Sequence, residues 1–209
     1  MKIGILGGSF NPIHYGHLIL AENVRKEANL DKVIIMPAYA SPFKLNKKSA
    51  SAQHRYQMVR LAVEGNEGLE ASDFESASGR VSYTIDTMRM LEEKLGSECQ
   101  LCFITGADSI LEIERWKEPA ELLRRYTFLV GGRPGYRDAE LEEYAEYLRK
   151  EYRAEVRVID IPKADISSTE IRRRSMAGKS IRYLTPDSVA EYIKSNGLYR
   201  REAAPAEDS

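Results

Sequence analysis

Two of the three histidines in this chain fall inside one short segment, Gly7-Gly8-Ser9-Phe10-Asn11-Pro12-Ile13-His14-Tyr15-Gly16-His17. Glycines let backbone amides come close to a ligand. Neutral imidazoles donate hydrogen bonds to phosphate oxygens. The segment follows an apolar run, Lys2 to Leu6, that reads as a strand, and it precedes a helical pattern over Gly16 to Ala28. A helix beginning at about Gly16 places the imidazole of His17 near its positive end, where an anion is stabilised. The predicted chemistry is phosphate binding. Taken alone, Gly7-Gly8 is equally explained as a tight turn. Gly4, Gly7 and Gly8 have the wrong spacing for a dinucleotide fingerprint, no acidic residue ends the second strand, and no Gly-Lys-Ser/Thr follows to make a P-loop. Zinc would need further ligands from His54 or remote carboxylates.

Other residues offer compatible chemistry. Lys44 follows Pro42 beyond the second predicted strand, in a loop it shares with Lys47 and Lys48 that also reads as a solvated charge run. Ile166 to Arg172 reads as a helix start. Ser167 or Ser168 would cap it, Glu170 falls near the capping-box position, and Arg172 lies one turn in, where its fork can meet phosphate oxygens. Gly106-Ala107-Asp108 ends another apolar run, so Asp108 is placed to cap the next helix or bind a ribose. Tyr83 and Thr84 precede the third helix, with Asp86 as a candidate cap. Trp116 is the single tryptophan and reads on its own as a packing residue. Arg133, after Gly131-Gly132, suits a phosphate or a solvated turn. Cys99 and Cys102 have redox-motif spacing, but they enter a strand, where positions three apart face opposite ways.

The elements that must position these residues alternate in type. Apolar runs at Lys32 to Met36, Glu70 to Ser72, Gln100 to Thr105, Thr127 to Val130 and Val156 to Ile161 read as strands. Helical patterns cover Ala52 to Val63, Thr84 to Leu95, Pro119 to Leu123, Asp138 to Tyr152, Ser168 to Met176 and Pro186 to Ser195. In the long charged helix Leu141, Tyr144, Ala145, Leu148 and Tyr152 form the apolar stripe, so its tyrosines are expected to pack. This alternation predicts an α/β fold, a Rossmann-like doubly wound and mainly parallel sheet with C-terminal helices. A length of 209 residues suits one domain, over residues 1–199, with a polar, disordered tail over 200–209. Hydrophobic residues make up 43%, enough for an ordinary core without disulfide or metal staples. Lys and Arg total 31 against 32 Asp and Glu, which argues against a nucleic-acid binder but leaves room for one small anion. No apolar run approaches the roughly 18 residues of a membrane helix, and the N-terminus reads as a strand. Two cysteines make no secreted framework. A cytoplasmic location is expected, with no membrane partner, and a homo-oligomer is compatible with the sequence.

At this level of detail the chain resembles a known family. GGSFNPIHYGH looks like the (H/T)xGH signature of the nucleotidyltransferase superfamily. Together with Pro42-Phe43-Lys44, Ser82-Tyr83-Thr84-Ile85-Asp86-Thr87, Gly106-Ala107-Asp108, Trp116 and Ile166-Ser167-Ser168-Thr169-Glu170-Ile171-Arg172, it is similar to the bacterial nicotinate mononucleotide adenylyltransferases over the chain to about Tyr199. The resemblance implies transfer of the adenylyl group of ATP to nicotinate mononucleotide, giving deamido-NAD and pyrophosphate. It implies that His14, His17, Lys44 and Arg172 are catalytic. ATP would meet Gly7, Gly8, Ser9, Phe10, His17, Gly106, Asp108, Ser168, Thr169 and Arg172. Nicotinate mononucleotide would meet Lys44, Tyr83, Thr84, Trp116 and Arg133, with Trp116 packed on the pyridine ring. Phe43 stands where relatives usually carry His, and Asn11 where many carry Asp.

The attacking phosphate is already an anion, so no general base or covalent intermediate is required. Positioning and charge stabilisation suffice. Mg²⁺ would arrive on the ATP phosphates, with no protein metal ligand. Other readings stay open at this stage. Phosphopantetheine adenylyltransferases share the HxGH turn but are shorter and lack SYTIDT. Nicotinamide mononucleotide is an alternative acceptor. A non-catalytic nucleotide sensor would be suggested by loss of His17, Lys44 or Arg172, and all three are present.

Overall fold

The computed structural model describes residues 1–39, 49–96, 98–132, 137–162 and 164–200. Lys44 and Arg133 lie outside the described residues, as do residues 201–209 of the expected tail. Arg200 itself donates from its guanidinium to the Lys194 carbonyl.

Six strands form one parallel sheet: β1 (Lys2–Gly8), β2 (Lys32–Pro37), β3 (Leu69–Ala71), β4 (Gln100–Gly106), β5 (Thr127–Gly132) and β6 (Val156–Asp160). Their order is β3-β2-β1-β4-β5-β6. The chain winds one way from β1 to β3, then crosses back to place β4 on the other side of β1. In sheets of this kind the connections diverge where the winding reverses. They open a crevice beyond the carboxyl ends of the two strands. Here those ends are Gly7-Gly8 and Thr105-Gly106.

Near-continuous apolar runs are what strands covered on both faces require. Alternate residues serve opposite layers. Leu6, Val33, Ile35, Cys102 and Ile104 face a core closed by α1 (Tyr15–Glu27), α2 (Ala52–Val63), α7 (Ser168–Met176) and α8 (Asp187–Ser195). Ile3, Ile5, Ile34, Leu101, Phe103 and Phe128 face the other core, closed by α3 (Thr84–Leu95), α5 (Pro119–Arg125) and α6 (Arg137–Tyr152). Cys102 therefore packs in one core and Cys99 against the other, and both thiols are free. Fully burying one aliphatic side chain contributes about 1.5–3 kcal/mol, so the two layers dominate stability.

The structure refines several expectations. β1 runs two residues past Leu6, so Gly7 and Gly8 are strand residues, paired with Met36 and Pro37, rather than turn residues. β3 sits one residue earlier than its expected span. A four-residue helix, α4 (Ala107–Ile110), and a 3-10 turn, Ile113–Arg115, occupy a stretch where the sequence carries no long periodic pattern. Among the described residues no helix is long and apolar enough to cross a membrane.

Candidate active site

The turn between β1 and α1 is built from local conformational demands. Phe10 adopts φ of 44°, uncommon for a bulky residue. Its ring is buried and lies so close to Gly8 that a Cβ there would stand 2.9 Å from the ring. Gly8 is thus required by packing, and what Phe10 can present to a ligand is backbone. His14 is the N-cap of α1, whose first residue is Tyr15, and His17 is its third. The His14 backbone N–H donates to Nδ1 of His17 at 3.2 Å, while the His17 backbone N–H donates to the His14 carbonyl at 2.9 Å. The two rings stack with centroids 3.7 Å apart, and the edge of Phe10 meets His17 at 5.0 Å. A Cβ on Gly16 would lie 3.0 Å from Nδ1 of His14, which explains the glycine of the HxGH run.

Electrostatics follows from this geometry. Nδ1 of His17 accepts a hydrogen bond, so in the neutral ring the proton sits on Nε2 and that edge is a donor. His14 is only 7% exposed, and burial pulls its pKa down to about 4. It is neutral at physiological pH. No acidic residue occupies the first turn of α1, so nothing there opposes an incoming anion.

α7 closes the cluster from the far end of the chain. Ser167 is its N-cap, accepting from the Glu170 backbone N–H at 3.2 Å. Ser168 does not cap. Its hydroxyl donates to the Pro12 carbonyl at 2.8 Å. Arg172 donates to the Asn11 carbonyl at 2.8 Å and to Oγ1 of Thr169 at 3.2 Å. Glu170 is occupied with Arg173 and Arg174 and completes no capping box. Buried Thr185 donates to the Ile13 carbonyl, so the first turn is fastened through Asn11, Pro12 and Ile13 to the C-terminal elements.

Beside this cluster lies a cleft of about 470 Å³ at the carboxyl ends of β1 and β4. Gly7, Gly8 and Ser9 form one wall, Tyr83 and Thr84 a second, and Asp108 and Trp116 a third. Tyr83 is the N-cap of α3 without a side-chain cap, so the first amides of that helix are open to an anion. Asp86 is not the cap. It accepts from Nζ of Lys117 at 2.8 Å, and Lys117 also stands over the Tyr83 ring. Asp108 lies in the first turn of α4, whose N-cap is Gly106. Trp116 is partly buried, edge-on to Phe103 with centroids 5.8 Å apart.

Most of the predicted residues therefore converge. Gly7, Gly8, Ser9, Tyr83, Thr84, Asp108 and Trp116 line one cleft, while His14, His17, Ser168, Thr169 and Arg172 gather around the turn that follows Ser9 and do not line the cleft themselves. The third histidine does not join them: Nδ1 of His54 pairs with the Tyr192 hydroxyl at 2.9 Å, between α2 and α8. Among the described residues no group of three His, Cys, Asp or Glu side chains could hold a metal ion.

Sequence reasoning missed Glu75, Phe103, Thr105, Glu112 and Lys117, which also line the cleft. Burial raises the pKa of Glu75, whose carboxylate accepts from Oγ1 of Thr87 at 2.6 Å. It missed Arg55 as well, although a signal exists: Arg55 shares the buried stripe of α2 with Met58, Val59 and Val63, where an apolar residue is expected. The tyrosines of α6 do more than pack. Tyr144, Tyr147 and Tyr152 all donate to Glu114, in the turn just before Trp116.

A crevice at the switch point of a doubly wound sheet, with imidazoles and a guanidinium at a helix N-terminus, fits a class of protein that works on phosphates. The comparisons narrow it. The family model for cytidylyltransferase-like proteins matches residues 5–174. A relative from Thermoanaerobacter sp. (strain X514), named a probable nicotinate-nucleotide adenylyltransferase, is 43% identical over 97% of this chain and 96% of its own length. One of the same name from Moorella thermoacetica is 46% identical over 95% of this chain and 92% of its own. The fold matches that of Plasmodium falciparum nicotinic acid mononucleotide adenylyltransferase complexed with NaAD, at a TM-score of 0.77 and 22% identity over 95% of this chain and 97% of that one. The chain belongs to the cytidylyltransferase-like family and, within it, to the nicotinate-nucleotide adenylyltransferases.

Proposed function

We propose that this protein transfers the adenylyl group of ATP to nicotinate mononucleotide, releasing pyrophosphate and forming deamido-NAD. The observation that carries this reading is the stacked pair His14–His17 at the N-terminus of α1, with Arg172 bound to the same turn and the cleft of Trp116 beside it. The family's activity is the same reaction.

A phosphate oxygen of the acceptor attacks the α-phosphorus of ATP in line. The new P–O bond forms as the bond from the α-phosphorus to the bridging oxygen breaks, and that electron pair leaves with pyrophosphate. The nucleophile carries its own charge, so the protein supplies orientation and electrostatics. His17 donates from Nε2 to phosphate oxygens, and neutral His14 holds it in that orientation through the backbone hydrogen bond and the stack. Arg172 balances the charge spread over the triphosphate, joined by Lys44, with Gly8 and Ser9 forming the wall beside it. Ser168 and Thr169 stand in the first turn of α7, beside Arg172. Asp108 and Gly106 face the adenosine side. ATP would arrive as its Mg²⁺ complex, the ion supplying charge screening on the phosphates, and no side chain is assigned to hold it.

At the other end of the cleft Trp116 packs on the pyridine ring. The amides of Tyr83 and Thr84 at the N-terminus of α3 receive the nicotinate carboxylate, and an anion there gains about 0.3–1 kcal/mol or more from the helix end alone. The neutral amide of nicotinamide mononucleotide gains little from that field. Arg133 would meet the acceptor phosphate. The reaction uses soluble nucleotides, and we assign it to the cytoplasm.

The test is pyrophosphate release from ATP and Mg²⁺ with nicotinate mononucleotide, nicotinamide mononucleotide and phosphopantetheine in parallel. A strong preference for the first is expected. Release only with another acceptor would retain adenylyl transfer and overturn the pocket assignment. No release with any acceptor, from protein that binds ATP, would identify a nucleotide sensor.

A further inference from the structure

Arg55 is 4% exposed, and no carboxylate among the described residues pairs with it. A buried guanidinium is costly unless its donors are satisfied. Here backbone carbonyls satisfy them. Nη1 donates to Ser9 at 2.9 Å and to Ala38 at 2.6 Å, Nη2 to Tyr39 at 2.7 Å, and Nε to Ala50 at 3.1 Å. One side chain of α2 thus joins the phosphate turn, the exit of β2 and the approach to α2. Ala50 is tied back by its own N–H, which donates to Oδ1 of Asn11 at 3.1 Å. The same Oδ1 accepts from the hydroxyl of Tyr199 at 2.7 Å. On the opposite side Arg172 donates to the Asn11 carbonyl. The turn Ser9-Phe10-Asn11 is held between two guanidinium groups.

We propose that Arg55 is a positioning residue for the phosphate-binding turn, holding the Ser9 end of it as Arg172 holds the Asn11 end, and leaving an un-neutralised positive charge behind the site where the triphosphate sits. The proposal rests on the adenylyl-transfer reading. A carboxylate partner would cancel the charge, whereas carbonyl acceptors orient the fork and leave the charge in place. The planar fork is needed as well as the charge, because four acceptors at fixed directions exceed what one ammonium can reach.

The experiment compares wild type with Arg55→Lys, using calorimetric binding of Mg–ATP and of adenosine, and steady-state pyrophosphate release. Arg55→Lys should weaken ATP binding tenfold or more, leave adenosine within twofold, and lower kcat, in a variant whose circular dichroism matches wild type. Equal loss for ATP and adenosine would mean a merely structural role and overturn the proposal. So would wild-type kinetics in the variant. Arg55→Gln, which keeps some donors and removes the charge, should lose at least as much ATP affinity. Wild-type protein supplies a second measurement that does not depend on the variants folding. The Nε resonance of Arg55 should shift on adding Mg–ATP and not on adding adenosine, and an Nε insensitive to ATP would overturn the proposal. Absence of pyrophosphate release from wild type would instead refute the underlying reading.

Discussion

His14 and His17 act as a unit: the backbone N–H of one donates to Nδ1 of the other at 3.2 Å while their rings stack 3.7 Å apart. The contact selects a tautomer for His17, with the proton on Nε2, so under the adenylyl-transfer reading the ring's donor is fixed before substrate arrives. Preorganised donors of this kind contribute most where charge develops in the transition state.

Replacing His17 by Ala should lower kcat about 10²–10³-fold, the range for loss of one such donor, with little change in folding. His17→Gln, whose amide nitrogen can approximate Nε2, should recover part of the loss. Pyrophosphate release and thermal unfolding of both variants check this, and near-normal turnover in His17→Ala would sink the assignment.

His14 sets a pH dependence of stability. Its folded pKa of about 4 lies below the ordinary histidine value, so between these values the unfolded chain binds a proton that the folded chain refuses. Stability from this group is complete above about pH 6.5 and declines as pH falls toward 4, by up to about 3 kcal/mol. Urea unfolding of wild type and His14→Gln across pH 4 to 7 should show a flatter dependence in the variant. Parallel curves would contradict it.

Gly16→Ala should gain about 1 kcal/mol of helix propensity in an exposed helix. Here its Cβ would stand 3.0 Å from the His14 ring, so we expect no gain in Tm and a fall in kcat as the stack is displaced. A stabilised variant with full activity would show that the ring has room to move.

Arg172→Ala should raise the KM for ATP, lower kcat, or both, because it removes a donor to the turn as well as a charge. Arg172→Lys should restore only part of the activity, lacking the fork. Steady-state kinetics with ATP varied decide the matter, and unchanged constants would remove Arg172 from the site.

Trp116→Ala should raise the KM for nicotinate mononucleotide roughly tenfold, as loss of about 1.4 kcal/mol of ring contact predicts, and leave the KM for ATP unchanged. A rise confined to ATP would place the adenine at this wall instead.

Much of this was legible in the chain itself. Short-range patterns carry their own physics: two imidazoles three residues apart at a strand-to-helix turn, serine and arginine at the start of α7, and apolar runs alternating with helical stripes specify a parallel sheet and phosphate chemistry. Local packing also belongs here, since Gly16 answers to a ring only two residues away. Tertiary structure decided the rest. Ser168 reaches Pro12 across 156 positions and Tyr199 reaches Asn11 across 188. Arg55, which the sequence reading passed over, finds Ser9 across 46. Such pairs depend on which strand lies beside which, and on the point where the winding reverses. Residue types and spacing prescribe local conformation and chemical capacity, but hydrogen-bond partners are chosen by proximity, and proximity between distant segments exists only once the sheet has assembled.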